Sequence, residues 1–182
     1  IWDQTREGAK KISIFSYPGA PIKQWLTQLN QLDIPVDVFM AFGNAELLNL
    51  QKQAWSNLKL ISLPFIPQDD FDYLLVECDF NVVRGEDSFV RAQLVGRPFI
   101  WNIYPQDDGA HLIKLQAFLD LYLKEATPEL RATITKAMAW ADINQWWMAL
   151  PHWNQLARVW RSQLLESQTD GGLAARLLRF VS

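Results

Sequence analysis

The chain predicts an α/β fold: a parallel sheet with helices on both faces, followed by a helical C-terminal extension. Three observations lead there. Residues 1–107 alternate short β-like runs with helical periodicity, whereas residues 108–182 show helical periodicity alone. The stretch 80–104, FNVVRGEDSFVRAQLVGRPFIWNIY, compresses a strand, a polar turn, a helix and a second strand into one unit. Strands that alternate with helices over such short connections imply right-handed crossovers and a parallel sheet.

The elements follow in order. KISIF at 11–15 is the first strand, ended by Ser16-Tyr17-Pro18-Gly19, a turn by its Pro and Gly. Residues 22–32 carry Trp25, Leu26, Leu29 and Leu32 at helical spacing, and Pro35 stops them. Residues 36–42 read as the second strand, 45–51 as a helix and 58–63 as the third strand, with PFIPQ at 64–68 a loop. Residues 70–76 predict a short helix carrying Phe71, Leu74 and Leu75. The fourth strand, around Val82 and Val83, breaks into the turn RGEDS at 84–88; a helix runs to Gly96 and the fifth strand covers 99–103.

In the second half, helices are expected at 111–123 and 128–140, the latter with Thr127 as N-cap ahead of a Pro at the first helical position. Pro151 is expected to interrupt a third helical region, which resumes over 153–167. Gly171-Gly172 ends it before a terminal helix. The organisation is one domain, with a core at 1–107 and helices at 108–182 packing on it.

A chain of 182 residues is long enough for one well-cored domain that buries roughly 70% of its surface. Nine Trp and ten Phe supply much of that core. The net charge of −3 and the absence of any Lys/Arg run exclude electrostatically driven nucleic-acid binding. Cys78 is the single cysteine, so no internal disulfide forms, and it fits a reducing compartment such as the cytoplasm. Neither a signal peptide nor an apolar span of about 20 residues directs the chain to a membrane. It begins with Ile-Trp rather than Met and is expected to be a piece of a longer polypeptide.

In a parallel sheet ligands bind beyond the carboxyl ends of the strands. The loops there are 16–21, 43–44, 65–70, 84–88 and 104–108, and they should converge. RGEDS is the richest of them: a cation, two carboxylates and a hydroxyl at a helix N-terminus, where free N–H groups and the dipole favour an anion such as a diphosphate. Arg84 either grips phosphate oxygens in a bidentate manner or forms a salt bridge to Glu86 or Asp87. Asp87 and Ser88 suit a helix start, where they would cap backbone N–H groups. Glu86 is either a functional carboxylate or a surface residue paired with Arg84 or Arg91. His111 and His152 lie far apart and read as structural, and no spacing supports a metal site. The series Trp140, Trp146, Trp147, Trp153 and Trp160 is most simply helix packing.

RGEDSFVRAQ, with FDYLLVECD before it and GRPFIWNIYPQDD after it, closely resembles the bacterial protein-arginine rhamnosyltransferases called EarP, which glycosylate an arginine of elongation factor P. The similarity runs from KISIFSY through PQDDFDYLL to the C-terminal helices. It implies the donor-binding half of a GT-B enzyme, with two Rossmann-like domains facing across a cleft. It also implies dTDP-β-L-rhamnose as donor, inversion at the anomeric carbon, and neither metal nor cofactor. The N-terminal domain, which carries the family's general-base aspartate and much of the acceptor surface, is missing. Smaller departures lie at Val82 or Val83, where Phe is expected, near Leu94, and at Asn102, often His.

The resemblance implies roles residue by residue. Arg84 contacts the donor diphosphate, Ser88 and its neighbouring amides bind phosphate, and Asp87 fixes the loop or reaches a hydroxyl. Glu86 is the candidate catalytic residue of this half, orienting rhamnose hydroxyls or attracting the acceptor guanidinium. Phe15, Tyr17, Phe65 and Phe71 form a pocket for the pyrimidine, with core packing as the plain alternative for any one ring. Gln68 presents an amide to the thymine edge. Tyr104 and Gln106 are further candidates for phosphate or sugar contacts. Other readings stay open: a GT-B enzyme with another sugar or acceptor, a nucleotide-sugar epimerase, a pure donor-binding module, or a protein-interaction domain built on the Trp-rich helices.

Overall fold

A computed structural model describes residues 2–40, 45–141 and 143–166. After a short 3-10 turn at Trp2–Gln4 come β1 (Lys10–Ile14), α1 (Ile22–Leu29), β2 (Val36–Met40), α2 (Ala45–Lys52) and β3 (Leu58–Ser62). Then follow α3 (Gln68–Glu77), β4 (Phe80–Arg84), α4 (Gly85–Val95) and β5 (Phe99–Asn102). The helices α5 (Ala110–Tyr122), α6 (Pro128–Met138) and α7 (Ile143–Glu166) complete the described chain. The expected strand end at Phe42, the loop 43–44 and everything expected beyond Glu166 lie outside the described residues.

All four strand pairings are parallel, in the order β3-β2-β1-β4-β5. From β1 the chain builds outward to β2 and β3, then crosses back to β4 and builds the other way. β1 and β4 are therefore neighbours whose connections leave in opposite directions, and that divergence opens a crevice at their carboxyl ends.

Side chains of β2 alternate between two clusters, as a sheet covered on both faces requires. Val36, Val38 and Met40 join α1 and α2 in the larger core, whereas Phe39 packs with Ile61, Leu63, Leu74 and Cys78 under α3. Burial pushes the Cys78 thiol pKa far up, so this cysteine is a packing residue.

The tryptophans settle most of the C-terminal half. Trp25 of α1, Phe80 of β4 and Trp146 of α7 stack, the last two with centroids 4.4 Å apart, and Trp153 meets Phe80 edge-on at 5.3 Å. Trp146 and Trp153 are completely buried. Farther along, Arg161 donates to the Leu94 carbonyl at 2.8 Å, and Trp160 donates to Gln93 at 3.0 Å, which ties α7 to α4.

Two expectations are corrected here. Pro151 lies inside α7, which runs unbroken through it, and His152 is an exposed helical residue rather than part of a bend. A proline in a helix interior costs about 3 kcal/mol. Trp146 before it and Trp153 after it are both anchored in the core, and their burial outweighs that cost. The helix expected at 128–140 stops at Met138: Trp140 takes the left-handed conformation (φ 61°), with its N–H bonded to Ala137 O and that of Ala141 to Lys136 O. At the other end Thr127 caps as expected, accepting from Leu130 N at 3.3 Å.

At the amino edge of the sheet Arg6 links β2 to β3. Arg6 donates its backbone N–H and Nε to the fully buried Asp37 carboxylate, both at 2.7 Å, and its terminal nitrogen to the carbonyls of Val36 and Asn57. Removing Arg6 would leave a buried carboxylate without its cation. Arg6→Ala is expected to lose about 3 kcal/mol in urea unfolding; a loss within experimental error would show that solvent replaces the guanidinium.

Candidate functional site

The crevice is built from the segments that leave β1, β4 and β5. Phe15 donates to Val82 O at 2.8 Å, extending β1 along β4 by one residue. Two residues on, the Tyr17 N–H donates to Asn102 Oδ1 at 2.7 Å, so the loop is drawn across β4 to the end of β5. Asn102 therefore orients the site's first loop.

β4 passes into α4 with no intervening turn. Arg84 is the N-cap, in extended conformation, and Gly85 follows in the left-handed region with φ of 67°. A Cβ on Gly85 would meet Tyr17 Oη at 3.4 Å. Glycine serves this junction by its left-handed backbone, which allows the abrupt change of direction, while the Tyr17 hydroxyl stands at ordinary contact distance.

The expected RGEDS turn is therefore the first turn of a helix, and its side chains take different parts. No side chain caps α4. Asp87 turns away to pair with Arg91 at 2.9 Å, and Arg91 also reaches Asp72 at 2.6 Å; the bonds to Asp72 and then Asp87 push its high pKa further up. The Ser88 hydroxyl donates backward to the Arg84 carbonyl. This corrects the expectation that Asp87 and Ser88 cap the helix: an i,i+4 ion pair and an i−4 back-bond claim them first.

Arg84 makes no ion pair among the described residues, so the alternative of a salt bridge to Glu86 or Asp87 is not the one adopted. Its guanidinium donates to Ser16 O at 3.1 Å and lies 5.4 Å from the Tyr17 ring centroid, exposed beyond both. Tyr17 in turn meets Tyr104 edge-to-face at 5.2 Å. Both rings border a cavity of about 220 Å³, which Gly85, Glu86, Gln106 and Lys114 also line, with Trp101 and Ile103 behind. His111 shapes its rim by accepting the Gln106 N–H on Nδ1 at 3.0 Å.

The other expected residues lie on the α3 side. Phe15 and Phe71 meet edge-to-face at 4.9 Å and pack against the smaller core cluster. Gln68 is the first residue of α3, not part of a loop, and its amide donates to Asp87 at 3.3 Å. Phe65 does not join them: it is 98% exposed. The expected four-ring pocket is divided, with Phe15 and Phe71 on one side of the crevice, Tyr17 and Tyr104 on the other, and Phe65 in solvent. Among the described residues nothing covers this side chain in the loop between Pro64 and Pro67.

The profile of the Elongation-Factor P (EF-P) rhamnosyltransferase EarP family matches residues 2–182. The chain belongs to that family. It is 37% identical to a protein-arginine rhamnosyltransferase of Pseudomonas aeruginosa and 38% identical to one of Pseudomonas putida, each match covering 95% of the chain and 50% of the relative. The chain thus spans about half the length of the curated relatives it matches.

Among solved structures, one described as the structural basis for EarP-mediated arginine glycosylation of translation elongation factor EF-P superposes with a TM-score of 0.80 at 33% identity, over 97% of this chain and 61% of that one. Acinetobacter baumannii MurG (TM-score 0.54, 20% identity, 88% and 47% covered) and the spinosyn forosaminyltransferase SpnP (0.56, 14%, 99% and 46%) share the fold. The parallel five-stranded sheet is one half of the GT-B architecture of these neighbours.

Within this EarP-family chain, sequence reasoning overlooked Lys114 and Trp101. Trp101 reads as core on a strand, and it is buried. Lys114 lies far down the chain in what reads as a packing helix. Its only sequence signal is helical register: one turn before the buried Phe118, it falls on the face of α5 turned toward β5.

Replacing Gly85 by Ala tests the junction. The left-handed conformation costs an L-residue roughly 1–2 kcal/mol, so G85A should lower the unfolding free energy by that amount, read as a lower urea midpoint with an unchanged m value. Parent-like stability would mean that the junction does not hold this conformation in solution.

Proposed function

We propose that this chain is the donor-binding half of an inverting glycosyltransferase that moves L-rhamnose from dTDP-β-L-rhamnose to an arginine side chain of elongation factor P. The observation that carries the reading is an exposed Arg84, without an ion pair among the described residues, beside the uncapped first turn of α4 where β1 and β4 diverge. It is supported by membership of a family named for that activity.

In this reading the thymine lies on the Phe15–Phe71 side, within reach of Gln68, and the diphosphate crosses the mouth of the crevice to Arg84 and the amides of residues 86–88. A guanidinium and oriented N–H groups stabilise the charge that builds on the departing dTDP, a role that requires no metal ion here. Tyr104 and Gln106 border the sugar, and Glu86 orients its hydroxyls or draws in the acceptor guanidinium. That acceptor is a poor nucleophile, delocalised and protonated at neutral pH. A carboxylate outside this chain must position it and take its proton. Elongation factor P binds mainly to that other half, and the reaction takes place in the cytoplasm. For this chain, no helix of the described residues is long and apolar enough to cross a membrane.

The 182-residue chain is expected to bind dTDP in a calorimeter without transferring rhamnose. Arg84→Ala should weaken that binding by about ten- to a hundredfold. Uptake unaffected by R84A, or transfer by the chain alone, would overturn the assignment. In the longer protein, Glu86→Ala should lower kcat sharply with a small change in donor affinity; unchanged turnover would remove Glu86 from the reaction.

A further inference from the structure

Glu86 and Lys114 border the same 220 Å³ cavity with opposite charges, and neither has an ion-pair partner among the described residues. Their elements explain why they stay apart. Glu86 is fixed in the first turn of α4, just after Gly85. Lys114 is held by α5, which Phe118 anchors against Phe89 at 4.8 Å and Phe99 at 5.9 Å. The cavity between them is polar and bounded by Tyr17 and Tyr104.

Charge balance gives Lys114 its meaning. Arg91 is shared between Asp87 and Asp72, so one cation meets two carboxylates and that cluster keeps a net negative charge. At the start of α4, Arg84 and Glu86 cancel, so with the acid-rich cluster beside them the crevice mouth has no surplus positive charge. A nucleoside diphosphate carries at least two negative charges at neutral pH, and a carboxylate beside it is repulsive unless a second cation compensates. Lys114 is that cation by position, and a lysine ammonium on a flexible stem serves as a point charge for phosphate.

We propose that Lys114 binds the sugar-side phosphate of a nucleoside diphosphate in this cleft, opposite Arg84, and so allows Glu86 to stand beside the sugar. This rests on the reading of the crevice as a nucleotide-sugar site. It makes Lys114 a binding residue for the leaving group, contributed by the C-terminal helices rather than by the sheet.

Calorimetry of the chain with dTDP and with dTMP tests it. The parent should prefer dTDP. Lys114→Met should weaken dTDP by about tenfold and dTMP by less than about twofold, with Lys114→Arg restoring most of the dTDP affinity. Lys114 is exposed and no hydrogen bond or ion pair among the described residues holds it, so K114M should unfold at the parental urea midpoint. An unchanged dTDP affinity in K114M would overturn the proposal while leaving the nucleotide reading intact, and an equal loss for dTMP would overturn the assignment to the sugar-side phosphate. A parent that takes up neither nucleotide would sink the nucleotide reading, and the role of Lys114 with it.

Discussion

The junction of Arg84 and Gly85 is the constraint on which the crevice depends. A parallel sheet that reverses its direction of growth between β1 and β4 guarantees an opening there, but the opening acquires chemistry only because β4 becomes α4 within a single residue. Had a loop intervened, the first-turn amides of the helix would be displaced from the sheet edge. The left-handed Gly85 brings them to it, with the Tyr17 hydroxyl in contact beside it. Tyr17 in turn positions Arg84 through its ring and Tyr104 through an edge contact.

The sheet that carries this junction is tied at its amino edge and along its flank. At the amino edge Arg6 satisfies a buried carboxylate and two strand carbonyls at once, fixing how β2 meets β3. On the flank, α7 crosses from the stack of Trp25, Phe80 and Trp146 to the back of α4. The tryptophan-rich helices are therefore core: Trp146 and Trp153 are spent on burial, which removes them from any partner surface. The extension also reaches the front of the molecule, since α5 carries both the His111 that shapes the 104–109 loop and the Lys114 that borders the cavity.

Much of the site could be read from residue types, because a cation, acids and a hydroxyl beside a helix start are costly to place without a use. What those residues do to one another could not. Asp87 and Ser88 suit a cap by type, yet Arg91 one turn later and the Arg84 carbonyl one turn earlier are better placed to hold them. Phe15, Phe65 and Phe71 are alike as letters, but one pair finds a common cluster and the third faces water. Asn102, noted in the sequence only as standing where His is often found, directs the Tyr17 loop.

Local pattern determined the class of the fold, the five strands and their order of appearance, the helical character of the second half, and the segment where the chemistry gathers. These depend on periodicity, turn residues and capping, which act over a few positions. The unbroken passage of α7 through Pro151, the sorting of the aromatic rings and the arrival of Lys114 at the cleft were decided by packing. Each sets a local preference worth a few kcal/mol, or none at all, against contacts between residues far apart in the chain. Such contacts exist only once the helices have docked.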